Sequence, residues 1–155
     1  MSDSYQKEIT IEEFHKELDL IQSCISRMSS NSFACKGWNL SLIAGAFALV
    51  PENINNWYIC AVILCVDLCF WWLDSYFVLQ EKKYRDKYEW VIVQRENGVR
   101  DFLYDLNPNN KKMNLIAGKD KSHLKVAFSN TIGIMYGGIA VLLIIMISYK
   151  LYGGI

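Results

Sequence analysis

The sequence predicts an all-α membrane protein with a long acidic N-terminal helix, a two-span hairpin, a cytosolic helix and loop, and a third transmembrane helix. Three observations carry that expectation: apolar residues collected into long runs, a capped heptad pattern near the N-terminus, and an uneven distribution of lysine and arginine. The chain has 155 residues, room for one domain, with 16 basic side chains balancing 16 acidic ones. Apolar residues make up 52% of it and charged residues 21%. At a mean hydropathy of +0.11 it is too apolar for a disordered chain and too polar for a fully embedded one.

Residues 1–36 are read as a cytosolic amphipathic helix. Thr10-Ile11-Glu12-Glu13 is a capping box, a Thr N-cap answered by Glu three residues on. Beyond it Ile11, Phe14, Leu18, Ile21, Ile25 and Met28 are spaced alternately by three and four, a narrow seam that calls for another helix rather than a lipid surface. Self-association and pairing with the chain's own cytosolic helix both satisfy it. The arm carries six acids against three bases before Lys36, and Glu12, Glu13, Glu17 and Asp19 are candidates for plugging or gating. An acidic arm is repelled by anionic headgroups.

Residues 37–79 are read as a transmembrane hairpin. Its first apolar run, Gly37 to Val50, is short and reaches a spanning length only if Lys36 extends to the headgroups. Pro51 to Asn56 is a turn that fits two antiparallel helices. The second run, Trp57 to Leu79, is interrupted only by Asp67 and Asp74. With no apolar core in the first 20 residues, targeting is expected to fall to the first span.

Residues 80–125 are read as a basic cytosolic segment, a helix that continues the second span to about Asn97 and stops at Gly98, followed by a loop rich in turn residues. Residues 126–155 hold the third span and tail, with 24 uncharged residues from Val126 to Tyr149. As a helix these cover about 36 Å, more than a hydrocarbon core. Eleven of the bases fall in 80–125 and none in the 51–56 turn. The positive-inside rule therefore places the N-terminus and the 80–125 segment in the cytosol and the C-terminus outside.

A carboxylate at the centre of a span costs about 2.5–3.5 kcal/mol to insert, and Asp67 is so placed. Asp74, seven residues on, returns to the same helix face, and together they form a candidate pore or polar stripe. Asp74 has a plainer reading as the partner of Lys36 in a hairpin salt bridge. Lys111, Lys112, Lys119, Lys121 and Lys125 are candidates for an anionic ligand, or simply for a positive-inside cluster. Trp71 and Trp72 lie deeper than the interfacial aromatics, and Gly133-x-x-x-Gly137 permits close helix approach. The five cysteines have no metal-ligand or redox spacing and read as packing residues. No catalytic set, metal site or cofactor motif is found, so the expectation is not an enzyme.

Lys36-Gly37-Trp38, together with Trp72-Leu73-Asp74-Ser75-Tyr76-Phe77 running into Glu81, Tyr84-Arg85 and Tyr88, resembles a group of small bacterial membrane effectors encoded in anti-phage loci. In size, acidic arm and span layout the chain looks like the channel effectors of Hailong-type defence systems. That resemblance implies a homo-oligomer, a tetramer, in the bacterial inner membrane with a periplasmic C-terminus. It further implies a nucleotidyltransferase partner whose product, a single-stranded deoxyadenylate oligomer, keeps the channel closed until its loss depolarises the cell. A related effector answering to a cyclic oligonucleotide shares most of these features. Outside the resemblance, a non-conducting anchor or adaptor subunit and a small cation-coupled transporter using Asp67 are the competing readings.

Overall fold

The computed structural model describes residues 9–49, 57–110 and 122–152, which are helical apart from short loops, with no strand among them. Four helices follow in order: α1 (Ile11–Leu49), α2 (Trp57–Glu96), α3 (His123–Ala127) and α4 (Asn130–Tyr152). The 51–56 turn lies outside the described residues. Two helices, α2 and α4, are long and apolar enough to cross a membrane. α1 does not reach that standard, because its apolar stretch is short and preceded by a charged arm.

α1 starts where its cap dictates. The Thr10 N–H donates to Glu13 Oε2 at 3.1 Å and the Glu13 N–H donates to Thr10 Oγ1 at 3.2 Å, so two otherwise orphaned amides are satisfied reciprocally. The Thr10 amide, helped by Arg100, holds the Glu13 carboxyl below its usual range. α2 runs without a break from its apolar half into its charged half and ends in a Schellman turn. There the Gly98 N–H donates to Arg95 O and the Val99 N–H to Gln94 O, both at 3.0 Å, with Gly98 at φ +71°.

The chain divides into two compact units, Met1–Met28 with Gln80–Asp120, and Ser29–Leu79 with Lys121–Ile155. In the first, Ile21, Ile25 and Val91 form a buried core flanked by Phe14, Leu18, Tyr84, Tyr88, Trp90 and Leu106. The heptad seam is thus filled by the chain's own α2. Of the two partners the seam admits, the chain's own helix is the one seen: Ile21 and Ile25 are buried against it, and Ile11 stands off the packed face at 74% exposure. In the second unit one cluster joins three helices through Ile43, Ile63 and Leu143, and another gathers Leu79, Val126, Ile132 and Tyr136.

The apolar run from Val126 is not one helix. The Trp71 indole N–H donates to Ala127 O at 2.8 Å and takes the carbonyl that a continuous helix would offer to residue 131. The chain breaks at Phe128–Ser129 and restarts at Asn130. Trp71 then lies between Phe128, edge-on at 5.4 Å, and Tyr136, stacked at 6.3 Å. A Cβ on Gly137 would meet the Trp71 ring at 3.7 Å, an ordinary van der Waals contact, so the indole packs directly over this glycine without requiring it.

Because Gly98 adopts a left-handed conformation that a Cβ disfavours, Gly98→Ala is expected to destabilise the first unit by about 1 kcal/mol. Chemical denaturation in micelles, followed by circular dichroism, measures it.

Candidate functional site

The second unit buries what a water-soluble protein exposes. Asn39, Asp67, Asp74 and Ser75 are fully enclosed, while Phe33, Trp38, Leu49, Ile134 and Leu142 are each more than half exposed. The enclosed groups lie on a common line because of helical spacing. Ser32, Lys36 and Asn39 recur at four and three along α1, and Asp67 and Asp74 at seven along α2.

At Asp74 the polar groups are well matched. Lys36 Nζ lies 2.7 Å from Asp74 Oδ2 and 2.9 Å from Oδ1, and the Ser32 hydroxyl donates to Oδ1 at 2.5 Å. The lysine is three-quarters covered and the carboxylate wholly so, which is the circumstance in which removing one partner is severe. One residue on, the Ser75 hydroxyl donates to Trp72 O at 2.8 Å and meets His123 Nε2 at 2.7 Å. Since Ser75 has one proton to give, His123 donates through Nε2. The Trp72 ring packs edge-on against His123 at 4.0 Å.

At Asp67 the match is incomplete. Asn39 Nδ2 donates to Asp67 Oδ1 at 2.7 Å, and Asp67 makes no ion pair with any of the described residues. Tyr136 from α4 is fully buried, and its hydroxyl has Asp74, the Cys35 thiol and Asp67 for electrostatic neighbours. The structure places Asp67 and Asp74 on the enclosed face of their helix. Each carboxylate is covered by its own chain, and Asp74 is the hairpin salt-bridge partner of Lys36.

The first unit holds the arm through charge. Arg95 grips Glu17 in a bidentate pair, Nε to Oε2 at 2.8 Å and Nη2 to Oε1 at 2.9 Å, with both side chains almost fully buried. The same two residues organise the following loop. Arg95 Nη1 donates to Val99 O and Asp101 O, and the Tyr104 N–H donates to Glu17 Oε1 at 3.0 Å. Phe102 and Tyr104 have positive φ, a conformation costing about 1–2 kcal/mol per residue, and the neighbouring Arg95–Glu17 contacts over-determine it. Arg100 reaches Glu13 at 3.4 Å. Two of the four plugging candidates are thereby tied down, while Glu12 and Asp19 are exposed.

Lys87, fully buried, donates to Asn107 O at 3.0 Å and lies 3.7 Å from Asp105. Burial pulls its ammonium below the usual lysine range against the opposing pull of Asp105. Asp105 is raised by burial, yet the Asn107 N–H, the Asn110 amide and Lys87 together hold it below the ordinary carboxylate value. Of the ligand-binding candidates, Lys125 is exposed on α3, whereas Lys111, Lys112, Lys119 and Lys121 lie outside the described residues. Cys24, Cys35 and Cys60 are buried free thiols and Cys65 and Cys69 exposed ones. No group of metal-ligating side chains gathers among the described residues.

The contribution of Ser32, Asn39, Ser75, His123, Tyr136, Lys87 and Arg95 was not anticipated from the sequence. For Ser32 and Asn39 a signal existed: they extend the heptad seam beyond Met28, at positions where a count restricted to apolar residues stops.

Two outcomes follow from these contacts. Lys36→Met strands the Asp74 charge and is expected to cost about 3–5 kcal/mol, most of which Lys36→Met with Asp74→Leu recovers; thermal unfolding of the reconstituted variants compares them. The Asp105 carboxyl titrates lower folded than unfolded. Its stabilisation is complete above the ordinary value of about 3.9 and lost as pH falls through the lower folded value. Melting curves between neutral pH and pH ~3 are expected to fall less steeply for Asp105→Ala than for the native chain. No protein-family model, curated protein or solved structure matches the chain.

Proposed function

We propose that the chain is a three-span inner-membrane protein that assembles as a homo-oligomer and conducts ions when its cytosolic part is released, with the described arrangement as the closed state. The observation that carries this reading is Asp67, an enclosed carboxylate in the middle of a membrane-length helix, held by a single amide hydrogen bond. A helix that only anchors a partner gains nothing from such a group, and an ionisable side chain at that depth is a mark of function. The apolar outer surface of the second unit supports placing α1 in the bilayer beside α2 and α4, since all three contribute to one core.

Opening requires α1 and α2 to part at Asn39–Asp67, which exposes the carboxylate to a permeating cation. The Glu17–Arg95 pair is the restraint on the arm, and an anionic ligand on the basic segment is the natural regulator. An oligonucleotide, made by a nucleotidyltransferase as the resemblance implies, has that chemistry. The distribution of the bases supports a cytosolic N-terminus and a periplasmic C-terminus.

Cation flux from dye-loaded proteoliposomes tests the reading, using the native chain, Arg95→Ala and Asp67→Asn, each with and without short oligodeoxyadenylate. Arg95→Ala is expected to raise flux about tenfold or more, because the loss of a buried pair weighs roughly 3 kcal/mol against the closed state. Asp67→Asn is expected to lower it, and the oligomer to suppress it. An absence of flux from every inserted variant would overturn the channel and favour a non-conducting anchor.

A further inference from the structure

Among the described residues of the second unit, four buried side-chain atoms lack a hydrogen-bond partner of good geometry: Asn39 Oδ1, Asp67 Oδ2, Asp74 Oδ2 and the Tyr136 hydroxyl. They fall into two pairs of different character. Asp74 Oδ2 already faces its counter-charge, Lys36 Nζ, at 2.7 Å, and the phenol of Tyr136 beside it is a hydrogen-bond donor. An acceptor and a donor need nothing from outside. Asn39 Oδ1 and Asp67 Oδ2 are both acceptors, the leftover halves of one side-chain pair whose other halves are joined at 2.7 Å.

Charge points the same way. Lys36 is committed to Asp74, so an ionised Asp67 leaves one uncompensated negative charge in the interior, where such a charge is not tolerated. Among the described residues the other ionisable groups near this line are Cys35 on α1, Tyr136 on α4 and His123, whose Nε2 meets Ser75; no contact brings a positive charge to Asp67, whose one hydrogen-bond partner is Asn39.

We infer that Asp67 is held as the neutral acid and that the Asn39–Asp67 pair is a binding site for a single proton. With the proton on Oδ2, Asp67 donates to Asn39 Oδ1 while Asn39 Nδ2 donates to Asp67 Oδ1. The two side chains close into a ring, and all four atoms are satisfied. Turning the Asn39 amide over does not remove the requirement. It sets Asn39 Oδ1 against Asp67 Oδ1, acceptor against acceptor, and a proton is again the missing element. A metal ion fits less well, because it needs more oxygens than the two left over, and no further acidic, histidine or cysteine ligands collect here among the described residues. The proton comes from water when the helices close and returns to water when they part, leaving the carboxylate. This inference does not rest on conduction.

Infrared spectroscopy of the full chain in lipid bilayers decides it, with aspartate labelled with carbon-13 at the side-chain carboxyl. At pH 7, about three units above the ordinary aspartate value, the native chain is expected to show the carbonyl band of a protonated aspartic acid. The band should move with the label, vanish in Asp67→Asn and shift in Asn39→Leu. The amide introduced by Asp67→Asn donates to Asn39 Oδ1 as the acid does, so this variant is expected to insert and fold. No labelled acid band in the native chain at pH 7 overturns the inference without recourse to any variant. A band that survives Asp67→Asn belongs to another residue and also overturns it. A band with no measurable flux leaves the proton site standing and removes the channel; flux without a band does the reverse.

Discussion

The ion pair between Lys36 and Asp74 sets the terms for the second unit. Removing two charges from water costs several kcal/mol each, and their attraction recovers this only when further hydrogen bonds fill the remaining valences. Ser32 supplies one such bond, and Ser32 and Lys36 present to Asp74 from one face of α1. The helix register that brings them there also delivers Asn39 to Asp67, one turn farther along. Apolar contacts among Ile43, Ile63 and Leu143 are non-directional and would tolerate small slips. Hydrogen bonds of 2.5–2.9 Å would not.

The first unit solves a similar problem with different chemistry. A planar guanidinium and a carboxylate meet in two parallel bonds, the geometry in which arginine outperforms lysine. Arg95 Nη1 donates to two backbone carbonyls of the next loop. One residue thus links the arm, the end of α2 and a loop with two left-handed residues, and the loop's conformation depends on the arm being in place.

Much of this was legible in the sequence where a local rule applies. The Thr10–Glu13 cap, the unbroken passage of α2 into its charged half and the stop at Gly98 each follow from a few neighbouring residues. The expectation of one helix from Val126 failed because its cause is distant: Trp71 is 56 residues from the carbonyl it takes. The enclosed polar line was half legible. Asp67 and Asp74 stand out in an apolar run, but Ser32 and Asn39 are unremarkable as letters, and their meaning depends on the carboxylates opposite. Read by its charge alone, Glu17 is one of four acids that are candidates for plugging or gating, since nothing nearby in the sequence identifies Arg95 as its partner.

The two cross-helix charge pairs, Glu17–Arg95 and Lys36–Asp74, also constrain how this sequence can drift. In each, a change on α1 is harmful until a matching change appears on α2, 78 and 38 residues away. Substitution at these four positions therefore proceeds in couples or by charge reversal. In a set of descendants of this chain they should vary together, while the lipid-compatible outer residues vary singly. An inheritance pattern of that kind would record the helix pairing without any coordinates at all.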